Sequence, residues 1–176
     1  RGLGDVYKRQ LKNNLTAGGK TYRPVSLWVN WPVTDNSKQH LILGGGEKFL
    51  HPNVDPSLLS GIMLNPMQQS EPSKIALFAG AQYTWKQWKS EEEAKKLNDI
   101  AFNFVENGHF EDSKVSVAFR ELGKHMINQN MDGRVVKLEE SVELAPKLTD
   151  FMTKIKAGQD VTAERVALRA EFAKIK

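Results

Sequence analysis

A change of pattern near residue 88 sets the strongest limit on the fold. Before it, Gly and Pro punctuate short runs rich in β-branched and aromatic residues. After it, apolar residues recur at helical spacing almost to the end of the sequence. The first half therefore reads as α/β and the second as all-α. Pro24 to Trp31 (PVSLWVNW) predicts a buried strand ending at Pro32, because proline brings no N–H to a ladder. Gly61 to Leu64 (GIML) predicts a second short strand that ends at Asn65-Pro66. A helix follows from Ser70-Glu71-Pro72, where proline suits the first turn, with Ile75, Leu77, Phe78, Ala81 and Trp85 as its apolar face. Two strands that each end in a polar loop, the second feeding a helix, predict parallel β/α units. Between them, His40 to Leu43 (HLIL) runs into Gly44, Gly45 and Gly46, which read as a flexible loop. Pro52 and Pro56 argue against the long helix that a phosphate cradle would need there.

Four helices are expected after residue 88. Ser90 caps the first, with Glu93 at capping-box spacing and Leu97, Ile100, Ala101, Phe104 and Val105 following. Asp112 is the expected cap of the second, which carries Val115, Phe119, Leu122 and Met126. The third runs from about Leu138 to Lys156 and stops at Gly158, and Thr162 opens the fourth, with Val166, Leu168, Phe172 and Ile175. Short loops between successive helices predict a small antiparallel bundle.

Composition removes several function classes. With 40% hydrophobic and 26% charged residues, the 176-residue chain has material for a core. Its net charge of +4 does not form a nucleic-acid stripe, because Lys and Arg alternate with Glu from Glu91 to Lys96 and from Glu139 to Lys147. The absence of cysteine excludes disulfides, thiolate catalysis and thiolate-held metal. No apolar run approaches the roughly 20 residues of a membrane span. Arg1 to Gln10 resembles translated sequencing-adapter read-through and is set aside, and the sequence stops inside a helical pattern at Lys176, as a truncated chain would. The expected organisation is thus 1–10 as artefact, 11–88 as α/β and 89–176 as helical.

The residues best placed for chemistry lie at the strand ends. Trp28 and Asn30 share one face of the first strand, and Asp35 lies just beyond its C-terminal end. An aromatic plane with an amide and a carboxylate suits a carbohydrate: the ring packs on the apolar face of a pyranose while the polar groups fix its hydroxyls. A core Trp and a turn-forming Asp explain the same residues without any function. Asn65 sits at the second strand end, where a turn Asn before Pro is the simplest reading. Met63, Met67 and the aromatics of the later helices read as core, and His40 as a structural histidine. The scattered His and carboxylates have no metal-ligand spacing.

Taken in order, WVNWPVTD, then HLILG, then GIMLNPMQQSEPSKIALFAGAQYTW resembles the end of the catalytic domain of family 84 glycoside hydrolases. These are bacterial hyaluronidase-like β-N-acetylglucosaminidases and their O-GlcNAcase relatives. The matching segments are Trp28 to Asp35, His40 to Gly44, Asn65 to Met67 and Glu71 to Lys74, and Lys137 to Pro146 resembles the helical domain that follows the barrel. Asn36 to Gln39, Gly45-Gly46 and Pro72 depart from the family's pattern, which bears on loop shape and substrate preference.

The resemblance implies the last two β/α units of a (β/α)8 TIM barrel followed by a small helical bundle. It also implies a retaining, substrate-assisted hydrolase in which the 2-acetamido carbonyl forms an oxazoline, one Asp orients that acetamide and its neighbouring Asp acts as general acid/base. This sequence contains no Asp-Asp pair. Carried over, Trp28 walls the acetamide pocket, Asn30 bonds near the catalytic pair, and Asp35 and Asn65 hold sugar hydroxyls. No catalytic residue, metal or cofactor is then expected in this piece, which would be inactive alone. The implied partners are β-linked N-acetylglucosamine glycans or glycoproteins, met by a secreted or cell-surface bacterial parent. The competing reading is a non-catalytic carbohydrate-binding or helical interaction module.

Overall fold

A computed structural model describes residues 3–35, 41–46, 50, 52, 54–126 and 143–176. The element order is α1 (Leu3–Ala17), β1 (Val25–Pro32), a 3-10 turn (Pro56–Leu58), β2 (Leu59–Asn65), α2 (Ser70–Trp85), α3 (Glu91–Asn107), α4 (Lys114–Gly123), α5 (Leu144–Lys156) and α6 (Thr162–Ala173). Both expected strands form, and they pair in parallel. The helix α1, which no sequence expectation covers, takes in most of residues 1–10.

Strand alternation assigns the two faces of the sheet. Leu27, Val29 and Trp31 turn toward the helices, and Trp31 is 1% exposed. Ser26, Trp28 and Asn30 turn the other way and are exposed. On the covered side α2 packs on both strands, α3 packs on α2, and α4 packs on α3. The central cluster joins Val29, Trp31, Ile42, Leu43, Met67 and Ile75 to Ala101 and Phe102 of α3. One core therefore crosses residue 88. Trp88 is itself buried, its ring 4.6 Å from that of Tyr83 and its indole N–H donating to the Leu50 carbonyl at 2.9 Å.

The stripe that α2 buries differs from the expected one. Ser73, Ile75, Ala76, Ala79, Gly80 and Tyr83 are buried, whereas Ala81 is exposed and Trp85 is 91% exposed. Close approach to β2 contributes to this: a Cβ on Gly80 would lie 2.5 Å from Leu64 Cδ1, so that position has room only for glycine. The triple glycine also corrects an expectation. Residues 41–46 have no regular structure, yet Gly44, Gly45 and Gly46 are buried. A Cβ on Gly45 would sit 2.9 Å from Asn98 Cβ, and Leu43 N–H donates to the Met126 carbonyl at 2.7 Å. The segment is packed, and glycine is there for space.

Ser90 caps α3 as expected, accepting the Glu93 N–H at 3.2 Å, while the Glu93 carboxylate reaches back to Lys89 N–H at 2.7 Å. The cap of α4 is Ser113, not Asp112. The Ser113 and Ser116 hydroxyls each accept the other's backbone N–H at 2.9 Å. Asp112 instead accepts from Asn103 Nδ2 at 2.9 Å and pairs with Arg120 at 3.0 Å, and these bonds hold its carboxyl below the usual range. Gly158 has φ 66° at the end of α5, the left-handed conformation expected of a helix stop. Most of the third expected helix before Leu144 lies outside the described residues, as do His40 and most of Lys137 to Pro146.

The last two helices form a hairpin whose main contacts are with each other. Leu168 is its one buried residue among those described. No helix among the described residues is long and apolar enough to cross a membrane.

Candidate functional site

The site is built where the two parallel strands end. Their register runs evenly from Trp28 opposite Met63 to Val29 opposite Leu64, then jumps so that Pro32 faces Asn65. Asn30 and Trp31 are thus a bulge in β1, and a bulge re-aims side chains at a strand end. The peptide bond from Trp31 to Pro32 is cis. Beyond it, Val33 N–H donates to the Asn65 carbonyl at 2.9 Å, which holds the departing chain beside the end of β2.

Three of the four candidate side chains meet there. The Trp28 indole N–H donates to Asn30 Oδ1 at 2.6 Å, and Asn65 Nδ2 donates to the same oxygen at 3.3 Å. Trp28 is 66% exposed, so its ring presents a broad aromatic surface on the uncovered face of the sheet. The core tryptophan of this strand is Trp31. Asp35 follows at the turn after β1, exposed and without a hydrogen bond or ion pair among the described residues.

Met63, expected in the core, is 55% exposed and lies opposite Trp28 on the open face. The signal was available: counting back from Asn65 by two puts Met63 on the same side of β2. Met67 does belong to the core, where its sulfur accepts the Ile42 N–H at 3.3 Å. Ser73 Oγ donates to the Gln69 carbonyl at 2.8 Å and lies 3.3 Å from that of Met67, tying the turn after Asn65 to the start of α2. Glu71 and Lys74 form an exposed ion pair at 2.7 Å on the first turn of that helix, remote in character from a binding group.

Physically, the open face offers an aromatic plane, a thioether and two amides at a single end of a parallel sheet, and the carboxylate of Asp35 follows in the turn after β1. That set can stack on an apolar ring face and exchange directional hydrogen bonds with hydroxyl and carbonyl groups. No group of three His, Asp or Glu side chains gathers as a metal site among the described residues.

Comparison with known proteins is specific. The family model for beta-N-acetylglucosaminidase matches residues 5–123. The solved structure of CpGH84D is 29% identical, with a TM-score of 0.61, over 92% of this chain and 25% of that one. That of CpGH84B is 27% identical, with a TM-score of 0.59, over 95% of this chain and 26% of that one. The chain thus spans about a quarter of the length of these proteins.

Proposed function

The chain belongs to the beta-N-acetylglucosaminidase family, and from that premise we propose that it is the sugar-holding side of a family 84 glycoside hydrolase. In this reading residues 11–88 are the last two β/α units of a (β/α)8 barrel, with β1 and β2 as its seventh and eighth strands. Residues 89–176 are the helical domain that follows, and the bacterial parent works outside the cell or on its surface. The observation that carries the proposal is the meeting of Trp28, Asn30 and Asn65 at the C-terminal ends of two parallel strands. That is the end at which barrel enzymes place their sites. The exposed Trp28 and Met63 support it further, because a two-stranded sheet with an apolar face is incomplete on its own.

The reaction of the complete protein is hydrolysis of terminal β-linked N-acetylglucosamine with retention. The substrate's own acetamide carbonyl attacks the anomeric carbon, the leaving oxygen takes a proton from an acid, and water reopens the oxazoline. No two aspartates adjoin in this sequence, so the acid and the group that orients the acetamide belong to other parts of the barrel. Trp28 packs against the acetamide, Asn30 bonds beside the reacting groups, and Asp35 and Asn65 hold hydroxyls away from the scissile bond. Binding energy gathered there orients the ring for attack.

The 176 residues titrated with N-acetylglucosamine should show chemical-shift changes centred on the Trp28 indole and the Asn30 and Asn65 amides. They should not hydrolyse an aryl N-acetylglucosaminide. Turnover by this chain alone, or shifts confined to the α5–α6 hairpin, would overturn the proposal. A carboxylate holding a hydroxyl is worth about 1.5–3 kcal/mol. Asp35→Ala in the complete enzyme should therefore cost about one to two decades of kcat/KM.

A further inference from the structure

The hydrogen bonds at the strand ends have a direction. An indole N–H donates and never accepts, so the Asn30 atom 2.6 Å from Trp28 Nε1 has to be the carbonyl oxygen. That settles which way the Asn30 amide is turned, a question that geometry alone leaves open for most asparagines. The Asn65 atom facing the same oxygen at 3.3 Å must then be its nitrogen. One donor-only group thereby fixes two amides in opposite senses. The Asn30 oxygen is turned inward and doubly occupied, and its two N–H groups have no partner among the described residues. Asn65 has its nitrogen inward, and its carbonyl oxygen has no partner among the described residues.

We propose that Trp28 is a positioning residue: besides offering a ring face, its indole N–H sets the polarity of the site through Asn30 and Asn65. Asn30 presents donors only and suits an oxygen acceptor, either an amide carbonyl or a carboxylate. Asn65 presents an acceptor and suits a hydroxyl. What the two amides meet rests on the sugar-binding reading above; how they are turned does not.

Hydrogen exchange of the tryptophan indoles in the 176-residue chain tests this without any sugar, so its failure is distinct from a failure to bind. Trp85 is 91% exposed and serves as the free reference. Trp88 is buried and bonded to the Leu50 carbonyl, and it reports whether the fold is intact. Although Trp28 is 66% exposed, its N–H should exchange about tenfold more slowly than that of Trp85, the effect of one hydrogen bond at the strong end of the ordinary range. Asn30→Asp keeps the acceptor and should keep that protection, whereas Asn30→Ala should bring Trp28 to the Trp85 rate while Trp88 stays protected. Equal rates for Trp28 and Trp85 in the unsubstituted chain would overturn the proposal. So would protection that survives Asn30→Ala, or protection lost equally in Asn30→Asp. Should Asn30→Ala unfold the chain, seen as loss of Trp88 protection, the unsubstituted comparison and Asn30→Asp still decide.

Discussion

The sheet with α2, α3 and α4 and the α5–α6 hairpin are held together by different physics. In the first, Trp31, Ile75, Ala76, Ala101 and Phe102 are at most 2% exposed and interlock strands with helices. In the hairpin, α5 buries nothing and α6 buries Leu168 alone, while Leu148, Met152, Ile155, Val166 and Phe172 remain 37% to 62% exposed. Charges do much of the joining instead: Lys154 bridges Asp150 and Glu164, and Glu171 bridges Lys147 and Lys174. A packed core is cooperative and insensitive to salt, whereas exposed ion pairs are individually weak and screened. The candidate site is backed by the first kind of structure, and that backing keeps its side chains in register.

The severest way to break this comparison is to cut it. Residues 89–176 expressed alone should keep helical signal, but α3 and α4 should lose fixed packing, since Ala101 and Phe102 bury against Val29, Trp31, Ile42 and Ile75. Well-dispersed resonances for α3 in that fragment would mean that the helical half is self-sufficient. Next in size, Phe102→Ala should destabilise the core by about 3–5 kcal/mol. Urea unfolding followed at the indoles should move strongly, while amide exchange in α5 and α6 hardly changes. Gly45→Ala should cost about 1–3 kcal/mol by pressing on Asn98, measured in the same unfolding assay, and a neutral effect would mean the glycine segment can give way.

Acid should have the smallest effect, and it should act on the hairpin. The Lys147 and Lys174 partners hold the Glu171 carboxyl down at about 2, from an ordinary value of 4.5. A lowered carboxyl contributes in full above its unfolded value and loses that contribution as pH falls. The α5–α6 pairing should therefore weaken between about pH 4.5 and 2 and weaken further with added salt, followed by amide exchange at residues 144–173. Glu171→Gln should remove most of that pH response. An unchanged pH response in this variant would assign it to the other cross-helix carboxylate, Glu164, which Lys154 also holds below its ordinary value.

Much of this was legible in the chain itself. Strand limits at Pro32 and Asn65, the start of α2 at Ser70, the Ser90 cap and the stop at Gly158 all follow from local chemistry, because proline, a capping hydroxyl and a left-handed glycine act on their immediate neighbours. The same period-two rule put Trp28 and Asn30 on one face. The same rule places Met63 in the open, where it is 55% exposed, although its apolar character alone suggests burial.

The sequence by itself determined both strands, the helices from α2 onward, the family motifs and the residue types at the two strand ends, though not α1. The tertiary structure alone decided that α2 buries Ala79 and Gly80 rather than Trp85, that three glycines form packed structure, and that one core spans the change of pattern at residue 88. It also decided that Trp28, Asn30 and Asn65 share a single oxygen. The physical reason is the same in each case. Those outcomes depend on the distance between surfaces brought together from far along the chain, and no local preference carries that distance.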